Sequence, residues 1–123
     1  MKIALNLPIE RKWLDMIASG QKREEYRAAG NAQVAKRWRD WYNHGVPCFP
    51  RAAVFRNGYN PTSPAVAVEL LSITIRGREW QNRRHDWGEP GGVRAYFAIY
   101  LGKVLARGTY REVKAALEGE GAQ

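Results

Sequence analysis

Apolar residues recur along this chain with two different periods, and the switches between them mark out the elements. Across residues 2–7, Ile3, Leu5 and Leu7 alternate with polar or small residues, the pattern of a half-buried strand. Pro8 then suits the first turn of a helix. Ile9, Trp13, Met16 and Ile17 follow at i, i+4, i+7 and i+8 and draw one apolar stripe, with Glu10, Arg11, Lys12 and Asp15 on the wet side. Gly20 stands where a left-handed helix cap is expected. Residues 21–27 are short and densely charged, and read as a strand despite that composition. Asn31 is placed to cap a second helix, whose stripe is Val34, Trp38, Trp41 and Tyr42 and whose opposite face carries Lys36, Arg37 and Arg39.

Residues 44–50 are a loop broken by Gly45, Pro47 and Pro50, and residues 52–56 a strand closed by the turn Asn57-Gly58. Residues 65–75 form the longest β-like run. Its alternation slips at Leu70-Leu71, as a bulge would cause. Residues 76–94 are polar, basic and glycine-rich, a long loop of a length that in compact domains is usually functional or disordered. Two strands, 96–101 and 103–105, flank Gly102. Thr109-Tyr-Arg-Glu112 is a capping box opening a last helix with Tyr110, Val113 and Leu117 on its apolar side.

About six strands and three helices, without βαβα alternation, predict an α+β fold: one small, mostly antiparallel barrel or curved sheet with flanking helices. A chain of 123 residues buries one core, so residues 1–123 read as a single domain. The apolar runs 65–68 and 96–101 are far shorter than the roughly 20 residues that span a bilayer, so no membrane is expected. Asn6, Pro8, Glu10 and Arg11 interrupt any signal-peptide core, and the single Cys48 forms no internal disulfide. The expected location is cytoplasmic.

Charge sharpens this. Twenty Lys and Arg oppose 12 acids, a net charge of +8, and Arg outnumbers Lys by 14 to 6. Arg is the better residue for bidentate phosphate contact and for stacking on rings. Interleaved with five Trp and six Tyr, it is the combination used by proteins that bind single-stranded nucleic acid. Other chemistries lack their residues. His44 and His85 are isolated, no CxxC or HxxxH occurs, and P-loop, GxGxxG and GxSxG motifs are absent. No metal and no cofactor are expected, and any catalysis should be metal-free, resting on Lys, Glu, Tyr or Arg.

The unusual stretch is residues 13–27, where an amphipathic helix, a glycine stop and a strand bearing Lys22, Glu25 and Arg27 follow in turn. Strands avoid such charge unless a face is wet or lines a polar cavity, and a solvated, charge-protected edge strand is the simplest account. The arrangement closely resembles the ASCH domain family, whose hallmark is a helix ending in a G-x-K-x-x-E-x-R-like motif. Here it reads Gly20-Gln-Lys22-Arg-Glu-Glu25-Tyr-Arg27. The segments 54–59, 66–75 and 96–102 are similar to the strands that follow in that family. The resemblance implies the PUA-like fold, a small mixed β-barrel with helices at its ends. It also implies a cleft, walled by this motif, that receives RNA or a modified base.

Some family members are ribonucleases, and one branch hydrolyses the amide of acetylated cytidine with a lysine, a threonine and a glutamate. Lys22 matches that lysine, but Glu25 stands where the threonine would be. Glu79, Asp86 and Glu89 are candidates for the glutamate.

Taken from the residues themselves, Lys22 suits a phosphate contact or a base, and Glu25 an acceptor for a base edge. Arg27 suits a clamp on Glu25 or on phosphate. In a regular strand Lys22 and Glu25 face opposite sides, so joint use requires Lys22 in the turn after Gly20. A lysine just past a helix-ending glycine is expected to be unpacked. Arg76, Arg78, Arg83 and Arg84, with Trp80 and Trp87 among them, make the best nucleic-acid patch, unless the tryptophans fold back on the barrel. Trp38, Trp41 and Tyr42 read as core. Glu69 either pairs with Arg27 or Arg56 in the cleft or faces water. Tyr59 is a candidate base-stacking residue, while Tyr96 and Tyr100 share a strand face as core with their hydroxyls at the edge. The expected partner is therefore single-stranded RNA or a nucleotide, bound through Lys22, Glu25, Arg27, Arg56, Tyr59, Arg76, Arg78, Trp80, Arg83 and Arg84. The alternative is a metal-independent hydrolase, a ribonuclease or an amidohydrolase on acylated cytidine, with Lys22 and Glu25 catalytic.

Overall fold

The computed structural model describes residues 3–28, 52–77 and 95–121. Five strands and two helices lie among them: β1 (Ile3–Pro8), α1 (Arg11–Ala18), β2 (Glu24–Ala28), β3 (Ala52–Arg56), β4 (Pro64–Gly77), β5 (Ala95–Thr109) and α2 (Tyr110–Gly121). The strands form one mixed sheet in the order β1-β3-β4-β5-β2. β1 pairs with β3 in parallel, whereas β3–β4 and β2–β5 are antiparallel. This is a small α+β fold. The helix expected after Asn31, with Trp38, Trp41 and Tyr42, lies outside the described residues, as does the loop beyond residue 77.

The described residues divide into two compact units, and β4 and β5 each contribute to both. The first holds residues 3–23, 52–70 and 101–121. Its core includes Val54, Ala65, Ala67, Val113 and Leu117, with Leu105, Ala106 and Tyr110 packed against it. β3 sits between β1 and β4, and Ala52, Ala53, Val54 and Phe55 are all buried. That is why this segment reads as a continuous apolar run rather than an alternating one. On α1 the buried side chains are Leu14 and Ile17, so the core-facing stripe turns about Leu14 and leaves Ile9, Trp13 and Met16 half-buried. The capping box of α2 forms as expected. The Thr109 N–H donates to Glu112 Oε1 at 3.0 Å, and the Glu112 N–H to Thr109 Oγ1 at 3.2 Å.

The second unit holds residues 24–28, 71–77 and 95–100. β2 lies against β5 in the register Glu24↔Tyr100, Glu25↔Ile99, Tyr26↔Ala98, Arg27↔Phe97 and Ala28↔Tyr96. Tyr26, Tyr96 and Ala98 form its apolar cluster, the two rings meeting edge to face at 5.7 Å.

Several boundaries differ from the sequence expectation. Pro8 ends β1 instead of opening α1, because its ring has no N–H to lose at a strand end. The two strands expected around Gly102 are one, since a glycine interrupts side-chain alternation without interrupting the backbone ladder. β4 runs on through Gly77, which moves Arg76 from the expected loop into a strand. Around the expected slip, Leu70 and Ile73 are buried while Leu71 and Ser72 are exposed, so the burial phase does change there. β1 carries a register irregularity of its own against β3, between Ile3 and Leu5.

Candidate functional site

In the first unit the chain leaves α1 through a tight corner. Ser19 N–H reaches Asp15 O and Gly20 N–H reaches Ile17 O, each at 3.0 Å, and Gly20 takes a φ of +81°, where a side chain would be strained. The Met16 carbonyl accepts both the Ser19 hydroxyl at 3.1 Å and the Lys22 N–H at 2.9 Å. Lys22 therefore precedes β2, as joint use of the motif requires. It is not unpacked, however: only 2% of it is exposed. Pinned by its own N–H to the helix end, its side chain turns back over the helix and sets Nζ 5.0 Å from the Trp13 ring centroid. The exposed Lys12 places its Nζ 4.6 Å from the same ring. A desolvated ammonium over an indole is worth about 2 kcal/mol or more, which offsets part of the cost of burying the charge.

In the second unit the pleat of β2 separates its charges. Glu25 and Arg27 share one face, joined from Arg27 Nη2 to Glu25 Oε2 at 2.9 Å. Glu25 Oε1 accepts the Tyr26 N–H at 3.1 Å, and Glu25 is only 5% exposed. Arg27 is the more exposed partner. Glu24 and Tyr26 point to the other face, where the Tyr26 hydroxyl bonds Glu24 Oε2. There Arg76 grips both Glu24 oxygens, at 3.1 and 3.3 Å, and donates to the Tyr100 hydroxyl at 2.8 Å. Burial works against the Arg76 charge, yet its hydrogen bonds to Glu24, Tyr100 and Tyr96 outweigh this and push its pKa up.

The remaining described candidates are placed as follows. Arg56 donates to the carbonyls of Gly58 at 2.8 Å and Asn60 at 3.2 Å and stacks 3.5 Å from the Tyr110 ring centroid, so it ties a turn together. Glu69 is half-buried, while Arg27 bonds Glu25 through Nη2 and Arg56 bonds its turn through Nε and Nη2. Tyr59 is 80% exposed. Tyr96 is buried and Tyr100 half-buried, as their shared strand face implied. Arg78, Glu79, Trp80, Arg83, Arg84, Asp86, Trp87 and Glu89 lie outside the described residues.

Sequence reasoning missed two arrangements, the Glu24–Arg76 pair and the stacking of Lys22 on Trp13. Alternation alone puts Glu24 with Tyr26 and Glu25 with Arg27, so the two-faced character of β2 was there to be read. The Arg76 partner, 52 residues away, was not. No helix among the described residues is long and apolar enough to cross a membrane. Searches for a matching family model, curated relative or solved structure returned no match.

Proposed function

We propose that this chain is an ASCH-like, PUA-like barrel that binds single-stranded RNA or a modified nucleotide, with the Glu25–Arg27 face of β2 as its recognition element. The observation that carries this reading is a carboxylate only 5% exposed, held on a strand by an arginine, in a chain of net charge +8. A buried ion pair is weak support for stability, because desolvation consumes most of its attraction. What it does supply is a guanidinium of fixed orientation, whose planar fork suits phosphate or a base edge. Fixing that fork before binding lowers the ordering cost of association. Lys22 enters as a buried cation stacked on Trp13, and the basic segment 76–94 supplies attraction at longer range.

The test is incubation of the full chain with a labelled single-stranded RNA, with and without chelator, scoring retention and cleavage together. Retention that weakens steeply with salt is expected, through counterion release, and Arg27→Ala should weaken it about 10-fold. Absence of retention at about 50 mM salt would overturn the reading. Cleavage that resists chelator would replace it with the metal-independent hydrolase.

A further inference from the structure

The loop between β3 and β4 is fixed far more firmly than its exposure suggests. Asn57 N–H bonds Pro64 O at 2.9 Å, Ser63 N–H bonds Asn60 O at 3.0 Å, and Asn60 N–H bonds Ser63 Oγ at 3.0 Å. The Asn57 side-chain amide donates to Ile9 O at 2.9 Å, tying the loop to the segment after β1. Arg56 closes it from inside through the Gly58 and Asn60 carbonyls while lying on Tyr110. The first turn of α2 joins in, with Tyr110 N–H on Ser63 O at 2.8 Å and Arg111 N–H on Pro61 O at 2.9 Å. Gly58 takes a φ of +119°, and a Cβ there would lie 2.6 Å from Ser63 Oγ.

On this frame stands Tyr59, 80% exposed. Core packing does not account for a ring held out in this way, and a rigid aromatic loses little entropy on contact, having two side-chain torsions. Its surroundings discriminate between partners. Arg111, whose N–H bonds Pro61 of the same loop, is exposed and forms no ion pair among the described residues. Glu112, the nearest acid on the helix, is committed to the cap. A protein-binding hot spot is centred in a packed, desolvated patch. A lone ring on a loop that also holds an uncompensated arginine instead matches a strand of unpaired bases, which offers a π-face and a phosphate at every step.

We propose that the Tyr59 loop is a base-stacking platform for single-stranded RNA, with Arg111 as its phosphate contact. This rests on the RNA reading above but uses different residues, so the two can fail separately. The test is anisotropy of the full chain with labelled oligouridylate and with an abasic strand of equal length, for wild type, Tyr59→Ala, Tyr59→Phe and Arg111→Ala. Tyr59→Ala should weaken oligouridylate binding about 10-fold, within the 5- to 150-fold range of roughly one stacked base. It should leave abasic binding and the melting temperature unchanged, and Tyr59→Phe should restore affinity. Arg111→Ala should lower the salt slope by about one unit on both strands. If wild type binds oligouridylate and Tyr59→Ala binds it equally well, or loses both strands alike, the platform is refuted while the RNA reading stands. If wild type binds neither strand, both are refuted.

Discussion

Replacing Lys22 should cost stability, and the size of the cost follows from how it is buried. With 2% of the residue exposed, Lys22→Ala removes three buried methylenes, at about 0.8 kcal/mol each. It also removes the contact with Trp13 at 5.0 Å, worth about 2 kcal/mol when desolvated. Against these stands relief from holding an ammonium out of water, which returns a few kcal/mol of opposite sign. The ring contact offsets only part of that burial cost, so Lys22→Ala should destabilise by no more than the stem loss, about 1–2 kcal/mol. Lys22→Met keeps most of the volume and sheds the charge, and should cost less than half of that. Urea unfolding followed by circular dichroism measures both, and a cycle with Trp13→Leu isolates the ring contact, with a coupling of about 1–2 kcal/mol expected. A cost for Lys22→Ala below about 0.5 kcal/mol, the size of an ordinary surface change, would refute the packing argument. So would a coupling within error of zero.

Three other outcomes follow. Arg76→Leu removes the two-nitrogen grip on a half-buried Glu24 and the donor to Tyr100; discounted for partial exposure, it should cost about 1–3 kcal/mol in the same urea assay. Gly58→Ala meets both a positive φ and Ser63 Oγ, and should lower stability by about 1–3 kcal/mol, read as a fall in melting temperature. The Glu112 carboxyl is held below its ordinary 4.5, first by the Thr109 N–H and then by the Thr109 hydroxyl. A lowered folded-state pKa gives stability that is present above the ordinary value and lost as pH falls through the lowered one. Amide exchange in the first turn of α2 should therefore rise on acidification below the ordinary value of 4.5, and Glu112→Ala should abolish that dependence.

What was legible in the sequence was set by local rules. The Thr109–Glu112 box, the Asn57-Gly58 turn and the Gly20 cap involve partners within a few residues, and each forms where its residue types require. β3 was legible because burial on both faces leaves an unbroken apolar run. The corner holding Lys22 was half legible. Gly20 fixes the turn, which was read correctly, but burial of the lysine depends on Trp13 lying one helical face back, and a charged side chain gives no such sign. The continuity of β5 through Gly102 was hidden for another reason, since it rests on ladder bonds to neighbouring strands and not on side-chain pattern. Arg56 shows the same limit. Its charge suggested a ligand, while its Nε and Nη2 donate to two carbonyls that only the folded turn brings within reach.

The two faces of β2 explain why adjacent glutamates in one short strand need not share a role. Glu24 is gripped by both Arg76 nitrogens and bonded to Tyr26, and Arg76 in turn holds Tyr100. Every polar group in that set answers another within the unit, which is how a buried network fixes one register of β2 on β5. A slip by one residue would bring Glu25 to Arg76 and turn Tyr26 away from Tyr96, losing both the bidentate pair and the edge-to-face contact. The Glu24 face thereby sets where Arg27 stands on the opposite face. Recognition by Arg27, in the reading advanced above, needs its guanidinium placed to within a fraction of an ångström. The strand thus carries its own positioning device on its reverse side. Glu24→Gln should then loosen Arg27 without touching it, weakening RNA retention while leaving the Glu25–Arg27 pair chemically intact. Retention identical to wild type in that variant, with the register of β2 shown by amide exchange to be unchanged, would separate the two faces and sink the link between them.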